Sequence, residues 1–357
     1  MIVSNCNNEI EYEYAAICLW TLSRFEHFKK CINTLSECEW AENTDLYVSV
    51  DYPPCERYRE GHSKIVEYIE SNQFRFKNVF VFKQSENLGA YRNADFIMKY
   101  CMDRNSKIVC IEDDLVFSKN YLKFVNRTLD HYSNNSRVAG VWGNGWSNEY
   151  AKRIEALGYN TYLIRWKGCQ GTWSKTRQLL NDTIDKSYLA SIVHSKEKIR
   201  KLRKSSKLLF SVCIDGYLGR NRVFYYPDGS TIHVIDYLQE IWNIINDCYF
   251  VVPTVPKVRN EGYDGSGEHQ GIVEESAFIN LDENIDFELR PCDAYDPDGT
   301  LAKYEKKLEY EVGIGMYIKA LIVSFVCLYF GDKQAKEIGS LLDVPGKLFR
   351  KIKGNIL

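Results

Sequence analysis

The strongest constraint on how this chain folds is an alternation repeated along its first 135 residues: a short apolar run, then apolar residues at helical spacing, then another run. Tyr14 to Trp20 is such a run, and Phe25, Phe28, Ile32 and Leu35 follow it at three- and four-residue intervals. Leu46 to Val50, with Ile65, Val66 and Ile69 behind it, repeats the pattern. So do Val79 to Phe82 with a helix from about Ala90 to Cys101, and finally Lys107 to Ile111. A switch from period two to period 3.6 marks strand followed by helix. Short connections between such units force a mostly parallel sheet covered by helices. The expected fold class is therefore α/β, of the nucleotide-binding kind.

Three acids, Glu112, Asp113 and Asp114, stand directly after the fourth run. A buried parallel strand delivers side chains at its C-terminal end, where ligands gather in open α/β sheets. Adjacent carboxylates repel and lose hydration there, so a cation or hydrogen-bond donors must neutralise them unless the acids form a solvated turn. Without neighbouring His or Cys, hard oxygen donors favour Mg2+ or Mn2+ over zinc.

The 357 residues, 45% of them hydrophobic, suffice for one large domain with an appendage. A net charge of −2 gives no global case for nucleic acid as a partner. The twelve cysteines contain no CxxC pair, and no basic-then-apolar leader is read at the start, which together suggest a reducing cytoplasm.

Further helices are expected over Lys119 to Tyr132, Trp173 to Leu180 and Asp236 to Asn246, and strands over Val138 to Trp142, Tyr162 to Trp166 and Tyr249 to Val252. His194 to Lys207 carries seven Lys or Arg against one Glu, a solvated face or an attraction for an anionic acceptor or membrane. A glycine-rich loop runs from Gly262 to His269. Composition shifts after Glu275, so residues 1–275 are expected to form the main domain and 276–357 a helical, membrane-peripheral appendage. Within the appendage, Val312 to Gly331 is apolar but holds Lys319, which argues for a buried accessory helix rather than a span. The tail from Lys347 to Leu357 reads as interfacial.

Three pieces in order carry a family resemblance: Leu19-Trp20-Thr21-Leu22-Ser23-Arg24, Val48-Ser49-Val50-Asp51, and Ile108-Val109-Cys110-Ile111-Glu112-Asp113-Asp114-Leu115. With the downstream Trp173 segment, Asp236 and His269, they resemble the GT-A nucleotide-sugar glycosyltransferases, the group containing animal Golgi N-acetylglucosaminyltransferase I and its bacterial polysaccharide-synthesis relatives. The resemblance covers roughly Ala15 to Ile272. It implies a GT-A fold, a nucleotide-sugar donor, a UDP donor above all, and transfer of a hexosyl or N-acetylhexosaminyl group to a glycan or lipid-linked sugar acceptor. The setting it implies is surface-polysaccharide synthesis, as of a capsule or lipopolysaccharide, at the inner face of the cell membrane.

The same resemblance makes Asp114 the direct metal ligand, with Asp113 near the ribose and Glu112 on the nucleoside side. Arg24 contacts the nucleotide, and Trp173 belongs to the donor site. Asp51 reads the base; a carboxylate there can accept the imide N–H of uracil, or it can simply open the turn with Pro53. Arg92 answers the diphosphate or is a solvated arginine beyond a glycine turn. His269 reaches the metal or diphosphate from the loop. Inverting transfer needs a general base opposite the leaving group; Asp236 is the choice, Asp215 the alternative, and Glu240 a weaker one. Two rivals stand beside this reading. One is a sugar nucleotidyltransferase, although Thr21 to Arg24 lacks the glycine-rich, basic phosphate loop of that class. The other is a catalytically inactive sugar-binding or scaffold protein that keeps the fold.

Overall fold

A computed structural model describes residues 12–144, 149–165, 170–183, 186–220, 224–225, 231–232, 234–262, 264–265, 280–296, 299–301 and 312–343. The alternation of the sequence appears as β1 (Ala16–Thr21), α1 (Phe25–Ser36), β2 (Asp45–Val50), α2 (Arg59–Ser71), β3 (Asn78–Lys83), α3 (Ala90–Met102) and β4 (Lys107–Glu112). In α1, Phe28, Cys31, Ile32 and Leu35 recur at one helical face and are fully buried against the sheet. The middle of β4, from Ile108 to Ile111, is buried throughout, as a strand covered on both sides requires.

The chain continues through β5 (Leu115–Phe117), α4 (Tyr121–His131), β6 (Val138–Val141), α5 (Glu149–Ala156), β7 (Thr161–Ile164), β8 (Gly171–Trp173) and α6 (Ser174–Thr183). Four helices follow, α7 (Lys186–Val193), α8 (Lys196–Ser205), α9 (Lys207–Tyr217) and, after the small ribbon β9 (Phe224–Tyr225) and β10 (Thr231–Ile232), α10 (Val234–Asn246). Then come β11 (Tyr249–Pro253), β12 (Val258–Asn260), α11 (Ile314–Phe330) and α12 (Asp332–Leu341).

The central sheet has eight strands in the order β3-β2-β1-β4-β8-β6-β11-β7. β1, β2, β3 and β4 are mutually parallel, as are β6 and β11, whereas β8 and β7 run against their neighbours. This is the mixed, mostly parallel, helix-covered sheet of a GT-A-like fold. Strand order reverses between β1 and β4, so a crevice opens outside their C-terminal ends.

Packing does not follow the division expected at residue 275. Phe287 joins the core beneath β1 and β4, Cys292 and Leu301 join the one around β7 and β11, and the buried Lys257 pairs with Asp282. The stretch 280–301 therefore belongs to the sheet. In turn α11 packs on α7, α9 and α12, and residues of α9, α10, α11 and α12 share one core that includes Leu209, Ile241, Val323 and Ala335. The helical lobe is thus built from both sides of the expected boundary, because its buried apolar cluster draws residues from both.

The accessory helix differs from expectation too. α11 buries Lys319, Ala320, Val323 and Val326, yet Ile314, Ile318, Ile322, Phe325, Tyr329 and Phe330 are exposed on its opposite side. Among the described residues no helix is long and apolar enough to cross a membrane. The expected interfacial tail lies outside the described residues beyond Asp343.

Candidate active site

Asp113 and Asp114 leave the end of β4 buried, at 5% and 8% exposure, while Glu112 faces outward. Arg24, the residue before α1, supplies the donors the charge crowding demands: its Nη2 donates to Asp113 Oδ1 and, at 3.1 Å, to Asp114 Oδ2. Residues at helix N-caps are usually Ser, Thr, Asp or Asn, whose side chains satisfy an open amide. Arg24 makes no such cap; its side chain reaches across to the neighbouring strand instead. Thr21, the last residue of β1, adds a hydrogen bond of 2.7 Å to Asp113 Oδ2.

One oxygen is left over. Asp114 Oδ1 is buried and has no hydrogen-bond partner among the described residues. Burial, together with repulsion from Asp113, raises the Asp114 pKa above the usual carboxylate range although Arg24 and His27 oppose the shift. Beneath the acids the Cys31 thiol is pushed well up by burial and by both carboxylates, and stays protonated.

The glycine loop comes to the acids through a two-stranded ribbon. β5 follows Asp114 directly and pairs antiparallel with β12, with Leu115 opposite Asn260. That register carries the chain back over the site: Glu261 N donates to Asp114 O at 2.8 Å, and Gly262 N to Asn260 Oδ1 at 2.7 Å. A Cβ on Gly262 would lie 3.0 Å from Asp114 Cγ and nearer still to Oδ2, so only glycine fits without displacement. α1 grips the same loop, through Lys30 to Glu261 at 2.5 Å and His27 Nε2 to Asp264 Oδ2 at 2.9 Å. His269 lies outside the described residues.

Asp51 directly follows β2 next door, 3% exposed. Its Oδ1 accepts the amides of Tyr52 (2.9 Å) and Leu88 (2.8 Å), and its Oδ2 those of Gly89 (2.9 Å) and the Asn87 side chain (3.2 Å). Four donors fill the four acceptor positions of a carboxylate. Asp51 thus holds the 87–89 loop, and reading a base would require it to give up one of those donors. Gly89 has φ +75° and ψ 160°, a conformation essentially confined to glycine, which turns the loop into α3. Arg92 is exposed and folds back, donating from Nε to Leu88 O at 2.8 Å. Asn93 ties α3 to both strand ends: Ser49 Oγ donates to it at 2.5 Å, and it donates to Thr21 O at 3.4 Å.

Trp173 requires a correction. β8 runs antiparallel to β4 with Trp173 opposite Lys107 and Gly171 opposite Val109. Lys107 opens the strand and Glu112 closes it, so Trp173 stands at the wrong end, roughly 16 Å from the acids at the usual rise per strand residue. The expected helix accordingly starts one residue later, at Ser174.

The two base candidates sit differently. Asp215, in α9, is 1% exposed and receives Lys319 Nζ at 2.5 Å, with Arg220 Nη1 at 3.8 Å. Lys319 also pairs with Asp343 at 3.3 Å. This is a buried ion-pair group inside the helical lobe, its carboxylate turned to Lys319 rather than to solvent. Asp236 is the third residue of α10, its side chain outside the described residues, and Glu240 is buried one turn later. Thr21, His27, Lys30 and Asn260 were not singled out from the sequence. For His27 a signal existed, since it lies three residues after Arg24 on the same face of α1.

No protein-family model matches this chain, and no curated protein matches it significantly. Among solved structures it is similar to S. aureus TarS. A crystal structure of TarS 1–349 in complex with UDP is 14% identical with a TM-score of 0.36, over 95% of this chain and 92% of that one. Another of TarS 1–349 is 15% identical with a TM-score of 0.31, over 58% and 56%. A third, of TarS, is 14% identical with a TM-score of 0.27, over 34% of this chain and only 20% of its own. At such TM-scores the fold rests on the strand order and the position of the acids, not on the overlap.

Proposed function

We propose that this protein is a metal-dependent, inverting glycosyltransferase that uses a nucleotide sugar, UDP-linked by preference. One observation carries the reading: Asp113 and Asp114 lie at the β1/β4 switch point, bridged by Arg24, roofed by Gly262, and with one buried Asp114 oxygen unsatisfied. An orphaned oxygen among hard donors suits Mg2+ or Mn2+ held by Asp114. When bound, such an ion neutralises the charge that develops on a departing diphosphate.

The protein's own residues supply the remainder. Arg24 offers a partly exposed guanidinium beside the acids, Asp51 sets the 87–89 loop, and the exposed Arg92 donates to that loop's Leu88 carbonyl. Asp236 takes the proton from the acceptor hydroxyl as its oxygen bonds to the anomeric carbon and the bond to the diphosphate breaks, which inverts the centre. A lipid-linked acceptor in surface-polysaccharide synthesis fits the exposed apolar side of α11. Lys333 and Lys336, both exposed just beyond it, and the basic α8 in the same lobe suit the protein to an anionic membrane surface.

Calorimetric titration with UDP in the presence and absence of Mn2+ tests the donor site. Metal-dependent binding that falls at least about tenfold in Asp114→Asn is expected. Asp236→Asn should keep donor affinity and slow transfer by about a hundredfold or more. Failure of the folded protein to bind any nucleotide sugar would favour a sugar-binding or scaffold role.

A further inference from the structure

A second group of metal-ligating side chains lies in the helical lobe, away from the acids. His194 follows the end of α7, Cys327 sits in the last turn of α11, and Asp332 opens α12. One ligand atom from each lies within 4.8 Å of the other two. His194 Nε2 is 2.6 Å from Asp332 Oδ1, and Cys327 Sγ is 3.3 Å from the same oxygen.

We propose that His194, Cys327 and Asp332 form a zinc-type transition-metal site that fastens the α11–α12 turn to the end of α7. Ligand chemistry selects the metal: a thiolate and an imidazole prefer zinc, cobalt or copper to magnesium. Geometry supports it. Zn–N and Zn–O bonds of about 2.0–2.2 Å and a Zn–S bond of about 2.3 Å place tetrahedral ligand atoms roughly 3.3–3.7 Å apart. The Cys327–Asp332 separation already has that value, and the His194–Asp332 pair needs to open by less than about 1 Å.

The turn between the helices is built to face both ligands one way. Gly331 takes φ +92°, a left-handed conformation that side chains rarely adopt. It reverses the chain between Cys327 and Asp332, five residues apart. Tyr217 supplies outer support: its hydroxyl donates to Asp332 Oδ1 at 2.7 Å and lies 3.4 Å from Cys327 Sγ. Carboxylate ligands are commonly held by such neighbours. Three protein ligands leave a fourth position for water or for an exogenous group.

The test uses the full chain stripped with EDTA, in an Asp114→Asn background so that ions at the acids do not contribute. Titration with Co2+ should raise a thiolate-to-cobalt charge-transfer band that saturates near one equivalent, and Zn2+ should quench it and raise the melting temperature by mass action. Cys327→Ser should abolish the band. His194→Gln and Asp332→Asn, which change exposed side chains and spare the fold, should weaken Co2+ binding at least about tenfold. Absence of the band, or its survival unchanged in Cys327→Ser or in His194→Gln, overturns the proposal.

Discussion

Gly262 lies directly over Asp114, so close that a methyl group on its α-carbon would overlap the carboxylate. The contact is held from two sides, by the Glu261 amide on the Asp114 carbonyl and by the β5/β12 pairing just before it. Gly262→Ala must therefore displace either the loop or the acid. It should cost about 1–3 kcal/mol, the usual penalty of overpacking, measured by urea denaturation, and should weaken UDP binding with Mn2+ in calorimetry. Full stability and full affinity in that variant would mean the roof yields freely.

Asp114 carries the sign of a functional strain. Burial raises its pKa above the ordinary 3.8, so the folded state takes up a proton more readily than the unfolded chain. Stability is then favoured below that range, falls as pH rises from the ordinary value through the raised one, and carries the full penalty at neutral pH. Asp114→Asn removes the buried charge; it should raise the melting temperature by a few degrees at pH 7 while abolishing metal-dependent donor binding. The gain should shrink at low pH. Scanning calorimetry across acid to neutral pH checks both.

Asp51→Ala strips the acceptor from three backbone amides and the Asn87 side chain at once. A loss of about 3 kcal/mol is expected, since hydrogen bonds to an ionised group contribute more than neutral ones. Hydrogen exchange at Leu88 and Gly89 should rise by more than at strand residues such as Val48. If only nucleotide affinity falls and exchange stays put, the carboxylate contacts the base and does little for the loop.

Asp215→Asn separates structure from catalysis. Removing the nearer partner of a buried ion pair leaves Lys319 with Asp343 alone, at a cost of about 3 kcal/mol, while turnover per folded molecule should stay near that of the wild type. Replacing both partners, as Asp215→Leu with Lys319→Met, should recover most of the stability. A hundredfold fall in transfer by well-folded Asp215→Asn would instead make it the base.

The β1 to β4 half of the fold was legible because each unit switches from strand to helical periodicity, and burial at the end of Ile108 to Ile111 made the acids conspicuous. β8 was not. Gly171, Thr172 and Trp173 are too few to show alternation, and a three-residue strand running backwards reverses which end of the sheet its tryptophan occupies. The Arg24 bridge was hidden for another reason: it joins residues just beyond the ends of neighbouring strands, and linear spacing is silent about lateral neighbours. The division at residue 275 failed because composition marks where a segment changes character and leaves open which core it enters.

Lys319 was read as the residue that keeps the apolar helix from spanning a bilayer. Its ammonium, lodged between Asp215 and Asp343, does something more specific: it sets the rotational phase of α11 about its own axis. With that anchor the row Ile314, Ile318, Ile322, Phe325 and Tyr329 points outward; turning the row inward would drag a charge out of its cage. One buried ammonium between two carboxylates thus bears on which side of the lobe is greasy, and so on where the protein can lean on another surface.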